Sequence, residues 1–343
     1  MRKLLNVLYV TSPDAYIGRD GENIVVTVKD NTAFRIPIHN LEGIVTFGYT
    51  GASPALMALC AERGVSLSFL TEHGRFLARV TGVVQGNVLL RRQQYRMADD
   101  AESTCRLARA LVSAKIANAR TVLARAVRDH SAGIDIVAIE TAERSLTRQI
   151  LRLDTCLSLD ELRGVEGDSA RSYFSVFDHL ILTQKEQFFF KERTRRPPLD
   201  NMNALLSFLY TLLAHDVRGA LETVGLDPEV GYLHRDRPGR AGLALDLMEE
   251  LRAFLADRLA LSLVNLRQVS GDTFQHMESG GVYMDDATRK NVIAAWQRRK
   301  QEEITHPFLQ EKISIGLIPY VQAMLLARYL RGDLEGYPPF FWK

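Results

Sequence analysis

Glu166 stands between two glycines in LRGVEGDSARSYF, residues 162–174. Such a setting lets a bulky ligand or a second backbone come close. Ser158-Leu-Asp-Glu161 has the form of a capping box opening a short helix that Gly164 closes, which puts Glu166 in the first turn of the next helix. There the helix dipole favours the ionised form that a hard cation needs, and it equally suits a glutamate that only complements the dipole. In residues 224–255, VGLDPEVGYLHRDRPGRAGLALDLMEELRAFL, a Gly/Pro-rich loop carrying His234, Arg235, Arg237 and Arg240 feeds a helix bearing Asp246, Glu249 and Glu250. At about 100° per residue Asp246 and Glu249 lie about 60° apart, clear of the stripe Leu243, Leu247, Leu251, Phe254 and Leu255. One imidazole with two carboxylates is a hard-cation donor set, better suited to Mg²⁺ or Mn²⁺ than to structural zinc. The arginines beside it would attract phosphate. The alternative for Asp246 and Glu250 is simple pairing with arginines on a solvated face.

A third segment, KERTRRPPLDNMNALLSFLY, places Lys191, Arg193, Arg195 and Arg196 before Pro197-Pro198. Cations on a chain held extended by two prolines can track a phosphate backbone; the plain alternative is a solvated loop. Asn203 and Ser207, at i and i+4 on the following helix, are polar lining or internal hydrogen-bond partners. Lys115 and Arg120 belong to the basic side of a long amphipathic helix that alternates with Leu107, Leu111, Ile116, Val122, Leu123 and Val127. Lysine and arginine number 43 against 41 acidic residues, a net charge of +2, so nucleic-acid affinity must come from clustering around the site rather than from overall charge. Phosphate-binding Gly-x-x-x-x-Gly-Lys-Ser/Thr, dinucleotide Gly-x-Gly-x-x-Gly, Gly-x-Ser-x-Gly and His-Glu-x-x-His patterns are absent, which removes support for NTPase, dinucleotide, serine-hydrolase and zincin chemistry.

The elements that must hold these groups fall into two parts. Up to about Tyr95 the pattern is short and of period two, as in an antiparallel β unit, with a hairpin in AYIGRDGENIVVTV turning at Asp20-Gly21 and a reversal at Asp30-Asn31. Further strands read as 33–38, 43–47, 65–70 and 76–83. Ser53 and Pro54 open a helix that Gly64 ends. The apolar N-terminal stretch stops at Ser12 and reads as a first strand, not a leader. After 96–101 the spacing becomes helical, and no proline occurs between Pro54 and Pro197. Cys60, Cys105 and Cys156 are too widely spaced for a metal knuckle and read as buried thiols of a reducing compartment, and no window reaches the length of a membrane helix; a cytoplasmic protein is expected. The aromatic run Phe340, Phe341 and Trp342 docks on a partner or on its own domain.

Together, LRGVEGDSARSYF, RRPPLDNMNALLSFLY and GLDPEVGYLHRDRPGRAGLALDLMEELR closely resemble the CRISPR-associated endonuclease and integrase of spacer acquisition, the Cas-one family. The resemblance extends over the whole chain, including GASPALMALCAERGVSLSFLTEHGRFLARVTG and GNVLLRRQQY. It implies an α+β protein, with a β-strand-rich domain over 1–96 for dimerisation and partner docking and an α-helical catalytic domain over 97–343. It implies Glu166, His234 and Glu249 as catalytic and metal-binding residues for Mg²⁺ or Mn²⁺, with Asp246 a further acidic position one turn earlier. His234 would be a direct ligand or assist proton transfer. Arg195, Arg196, Arg235, Arg237, Arg240, Lys115 and Arg120 would meet double-stranded DNA, both the incoming fragment and the repeat. The implied assembly is a heterohexamer in which two homodimers flank a dimer of the small Cas-two subunit. The implied reaction joins fragment to repeat by attack of a 3′-hydroxyl on a phosphodiester, and water in its place gives nuclease activity. The competing readings are an architectural DNA-binding dimer without chemistry and a phosphodiesterase for RNA or small nucleotides.

Overall fold

The computed structural model describes residues 7–12, 14–29, 31–41, 43–72, 76–80, 88–278 and 280–342. They gather into two compact units: Met1–Gly86 with Arg289–Glu302 and Ser314–Leu317, and Asn87–Thr288 with Glu303–Ile313 and Ile318–Lys343.

The first unit runs β1 (Val7–Val10), β2 (Ala15–Asp20), β3 (Asn23–Val28), β4 (Asn31–Pro37), β5 (Gly43–Phe47), β6 (Gly51–Ala52), α1 (Pro54–Arg63), β7 (Ser66–Leu70) and β8 (Phe76–Val80). The hairpin forms where its turn chemistry predicts, with Asp20 opposite Asn23 and Gly21 at φ +61°. α1 likewise starts with Ser53 Oγ accepting the Leu56 N–H at 3.2 Å and stops at Gly64, φ +67°. Two four-stranded sheets result, in the orders β1-β5-β7-β8 and β4-β3-β2-β6. The expected antiparallel pairing holds for β2 with β3, β3 with β4 and β7 with β8. β1, β5 and β7, however, run parallel, and β6 adds to β2 in parallel. Period-two alternation reports which face is buried, not the direction of the neighbour. The legible cue was GIVTF in β5, buried at all five positions, with α1 as the crossover to β7. Ile17, Ile24, Ile38, Ile44, Leu56 and Leu67 meet in the core. Of the expected strands and turns, residues 4–6, Asp30 and 81–83 lie outside the described residues.

The second unit is mostly helical, and helix begins at Val88 rather than after Arg96: α2 (Val88–Asp99), α3 (Ala101–His130), α4 (Ile136–Leu153), α5 (Leu159–Phe174), α6 (Asn201–Thr223), α7 (Gly242–Met248), a wide π-type turn (Arg252–Asp257) and α8 (Arg258–Asn265). β9 (Phe274–His276) pairs with β10 (Val282–Met284). α9 (Asp286–Gln301), most of which counts with the first unit, is followed by β11 (Glu303–Thr305) paired with β12 (Lys312–Ser314), and by α10 (Ile318–Leu330). These two small sheets depart from the all-helical expectation. α3 spans 30 residues, about 45 Å, and buries Leu107, Leu111, Ile116, Val122 and Leu123 as its periodicity predicts. α4 and α5 pack along it. Cys60, Cys105 and Cys156 are free and buried.

A buried polar knot joins α5, α6 and the π-type turn. Tyr210 donates to Asp257 Oδ1 at 2.7 Å, and the guanidiniums of Arg193 and Arg252 lie over the Tyr210 ring at 5.2 and 5.0 Å. Burial pushes Asp257 up to about 6, against Tyr210, Tyr173, Arg252 and Arg193, all of which favour the anion. An acid raised in the folded state gives up its proton on unfolding, so the stability it contributes is full below pH about 4 and is lost as pH rises through about 6. Wild type should therefore lose on the order of 3 kcal/mol relative to Asp257→Asn between pH 4 and 7, read as a widening gap in denaturation midpoints. A gap that stays constant over that range contradicts a protonated Asp257.

Candidate metal and nucleic-acid site

The N-cap forms as the sequence suggests, with Ser158 Oγ accepting the Glu161 N–H at 3.3 Å, but the Glu161 carboxylate accepts the Leu157 N–H at 2.7 Å, one residue before the N-cap. The helix it opens does not stop at Gly164. α5 continues to Phe174, so Glu166 lies in mid-helix and the helix-dipole argument for it fails. Its charge is met instead by Lys115 on α3, whose ammonium pairs with Glu166 Oε1. A methyl group at Gly164 or Gly167 would meet no atom within 4 Å. The glycines therefore leave open space beside the carboxylate rather than admitting another backbone.

The His234 loop is shaped by a second glycine pair. A Cβ on Gly231 would fall 2.8 Å from the carbonyl carbon of Gly242, and one on Gly242 would fall 2.8 Å from the Glu229 carbonyl oxygen. Only glycine at both positions lets the loop lie across the start of α7. So placed, the N–H groups of Tyr232 and Leu233 donate to Asp246 Oδ2 at 2.6 and 2.9 Å, and the His234 N–H to Oδ1 at 2.9 Å. His234 Nδ1 stands 2.6 Å from the same Oδ1. The carboxylate can only accept, so Nδ1 carries a proton, and in the neutral ring Nε2 would hold the lone pair, the tautomer of a metal-ligating histidine held by a carboxylate. Asp246 itself accepts four hydrogen bonds and has its oxygens fully engaged. Arg163, unremarked in the sequence, fastens the loop to α5 by donating to the Leu233 carbonyl at 2.8 Å.

Glu249 follows the end of α7 and is only 3% exposed. Lys115 Nζ lies 2.8 Å from its Oε2 and Arg252 Nη2 lies 3.1 Å from its Oε1. The Lys115 contact is an ion pair by distance without hydrogen-bond alignment, so the buried Oε2 has no hydrogen-bond donor. Burial alone would raise the Glu249 pKa, but the charges of Arg252 and Lys115 outweigh it and hold the carboxyl well below the usual range. Asp246 and Glu250 are both 0% exposed, so neither belongs to the solvated face that was the plainer alternative. Arg252, three residues after Glu249, was the one cation the spacing could have flagged.

Lys115 thus brings Glu166 and Glu249 onto one ammonium, while His234 is held by Asp246, three residues before Glu249. Among the described residues no three of His, Cys, Asp or Glu surround a common point as they stand, since a lysine occupies the space between the carboxylates. The donor set nonetheless fits a hard divalent cation by its chemistry: two carboxylates and an imidazole whose Nδ1 is engaged by Asp246, which leaves Nε2 to face outward.

Basic residues gather beside these groups. Burial first, then the charges of Arg237, Arg163 and Arg195, hold the Arg240 guanidinium below its usual pKa, which marks a concentration of cations. Arg195 lines a small cavity of about 50 Å³ with Lys115 and Glu166, and Arg196 is exposed. Arg235 pairs with Asp160 at 2.8 Å, and with Tyr95, Arg163, Tyr232 and His234 it lines a cleft of about 460 Å³. Arg120 stands apart, 3.4 Å from Thr147 Oγ1 on α4. Arg193 turns inward to Asn203 at 2.7 Å and Ser207 at 3.0 Å, so that these two are internal partners.

Among the described residues no helix is long and apolar enough to cross a membrane. Residues 8–298 match the family described as CRISPR associated protein Cas1. The chain is 51% identical, over the full length of both chains, to the CRISPR-associated endonuclease Cas1 1 of Chlorobaculum tepidum. Among solved structures its fold is similar to a casposase bound to integration product, with a TM-score of 0.83, 20% identity and coverage of 98% of this chain and 94% of that one. It is also similar to a chain of a Cas6-RT-Cas1–Cas2 complex, with a TM-score of 0.84, 23% identity and coverage of 99% of this chain and 36% of that one. A family match over most of the sequence and a full-length relative at half identity lead to one conclusion: the chain belongs to the Cas1 family of CRISPR-associated proteins.

Proposed function

We propose that the protein is a divalent-metal-dependent DNA endonuclease and integrase that inserts short foreign DNA fragments into a CRISPR repeat array. The observation that carries this reading is the arrangement around Lys115: a buried carboxylate, Glu249, and a half-buried one, Glu166, share one ammonium beside a histidine held by Asp246. The names of its relatives, an endonuclease, a casposase bound to integration product and a Cas1–Cas2 complex, support it. In this reading Glu166, Glu249 and Nε2 of His234 would hold Mg²⁺ or Mn²⁺, which when bound lowers the pKa of the attacking hydroxyl and stabilises charge on the phosphoryl oxygens.

The 3′-hydroxyl oxygen of the fragment bonds to a repeat phosphorus while the bond from that phosphorus to the repeat's own 3′-oxygen breaks. The attacking hydroxyl loses a proton and the departing oxygen gains one. Asp246 acts as a positioning residue, since its oxygens are spent on the loop and the imidazole. Lys115 is the resident counter-charge of the carboxylates and stays beside them as a donor to phosphate. Arg195, Arg196, Arg235, Arg237 and Arg240 neutralise the DNA backbone around the site, with Arg120 further along α3. The partners are double-stranded DNA, a second copy of the chain and a Cas2 dimer, in a cytoplasmic heterohexamer whose N-terminal unit mediates dimerisation and docking.

Half-site joining of a duplex with free 3′-hydroxyls to supercoiled repeat DNA, in Mn²⁺ with the small subunit, tests the reading. Glu166→Ala and His234→Ala should each lower joining and cleavage by about 10²-fold or more while duplex binding in EDTA stays within a few-fold of wild type. Tight binding with no joining or cleavage in any metal by wild type would leave an architectural DNA-binding dimer. Asp246→Asn keeps the shape but loses the charge that fixes the tautomer, and should weaken Mn²⁺ binding about 10- to 100-fold; unchanged affinity would remove its positioning role. Arg195→Ala with Arg240→Ala should reduce the slope of log affinity against log salt by about 2, and an unchanged slope would place the DNA elsewhere.

A further inference from the structure

We infer that the aromatic segment 337–342 is a positioning element of the carboxylate site, anchoring the backbone at residues 249–250 and so setting where Glu249 stands. The inference rests on reading Glu249 as a cation ligand. α7 ends at Met248 and the π-type turn starts at Arg252. The three residues between are held locally by short turns, from the Glu249 N–H to the Asp246 carbonyl at 3.2 Å and from the Leu251 N–H to the Met248 carbonyl at 3.0 Å. Such a break is the compliant point of an otherwise packed helical rod, and Glu249 sits on it with ion pairs but no backbone donor of its own.

What fixes the break is the neighbouring residue. The Glu250 carboxylate accepts the Tyr337 hydroxyl at 2.7 Å, the Phe340 N–H at 2.7 Å and Gln322 Nε2 at 2.8 Å. The Glu250 carbonyl accepts Asn118 Nδ2 at 2.7 Å. The same amide donates to the Phe340 carbonyl at 2.8 Å and accepts the Trp342 N–H at 2.8 Å. Trp342 is held in turn by the guanidiniums of Arg125 and Arg258, 4.1 and 4.3 Å from its ring centroid, and by Phe254 at 5.2 Å. Side chain and backbone of Glu250 are thus both tied to segment 337–342. Asn118 lies one turn beyond Lys115 on α3, so a single stretch of helix grips Glu249 through one residue and Glu250 through the other. Tyr337, Phe340 and Trp342 are buried in this unit, while Phe341 between them is 40% exposed.

The test titrates the full-length protein with Mn²⁺, following free ion by electron paramagnetic resonance, alongside circular dichroism and duplex binding in EDTA. Trp342→Ala should weaken Mn²⁺ binding about tenfold or more with helical content and DNA binding retained, and Trp342→Phe should recover most of the loss. Tyr337→Phe removes one hydroxyl donor and should move affinity in the same direction by a smaller step; it serves if Trp342→Ala fails to fold. Wild-type Mn²⁺ affinity in folded Trp342→Ala and Tyr337→Phe, with affinity lost in Glu249→Ala, would overturn the inference alone. Wild-type affinity in Glu249→Ala would overturn the ligand assignment and this inference with it.

Discussion

Three carboxylates within five residues, Asp246, Glu249 and Glu250, are buried, and the second unit is organised around compensating them. A carboxylate taken out of water without partners is strongly unfavourable, so each must be met by donors or opposite charge. Asp246 is met by three backbone N–H groups and an imidazole. Glu249 is met by two cations. Glu250 is met by neutral donors only, and burial pushes it up to about 7. Three solutions to one problem give three roles: the first orders a loop, the second stays ionised as a ligand would have to be, and the third ties the chain together.

Compensation of this kind dictates the long-range architecture. α3 contributes Lys115 and Asn118 from adjacent turns, α5 contributes Glu166, and the loop before α7 contributes its peptide groups because Gly231 and Gly242 allow two backbones to cross. Segments far apart in sequence are brought together by the electrostatic needs of a few atoms as much as by apolar packing. The exposed charges follow another logic. A chain with a net charge of +2 still concentrates Arg163, Arg195, Arg237 and Arg240 near one another.

The ammonium of Lys115 lies against both Glu166 and Glu249, and two carboxylates drawn together repel unless a positive charge lies between them.

Much of this was legible in one dimension. Residue type and spacing determined the hairpin at Asp20-Gly21, the caps of α1, the long amphipathic α3 and the chemically distinct residues Glu166, His234, Asp246 and Glu249, because turn geometry, capping and helical periodicity act over a few neighbouring residues. Local rules failed where the decisive partner was distant. Gly164 looked like a stop, but α5 packs along α3 and α4 and runs through it, so burial of the whole helix outweighs the modest penalty of one glycine. Strand direction in β1, β5 and β7 is invisible to alternation. The orientation of His234, the pairing of Glu249 with Lys115 and the hold of segment 337–342 on Glu250 depend on contacts spanning 12 to 134 residues, and segment 337–342 reaches Asn118 across more than 200. Sequence determined which groups are present and how each helix and turn begins; only the tertiary structure decided which charges meet, since Coulomb and hydrogen-bond energies depend on distance in space and not along the chain.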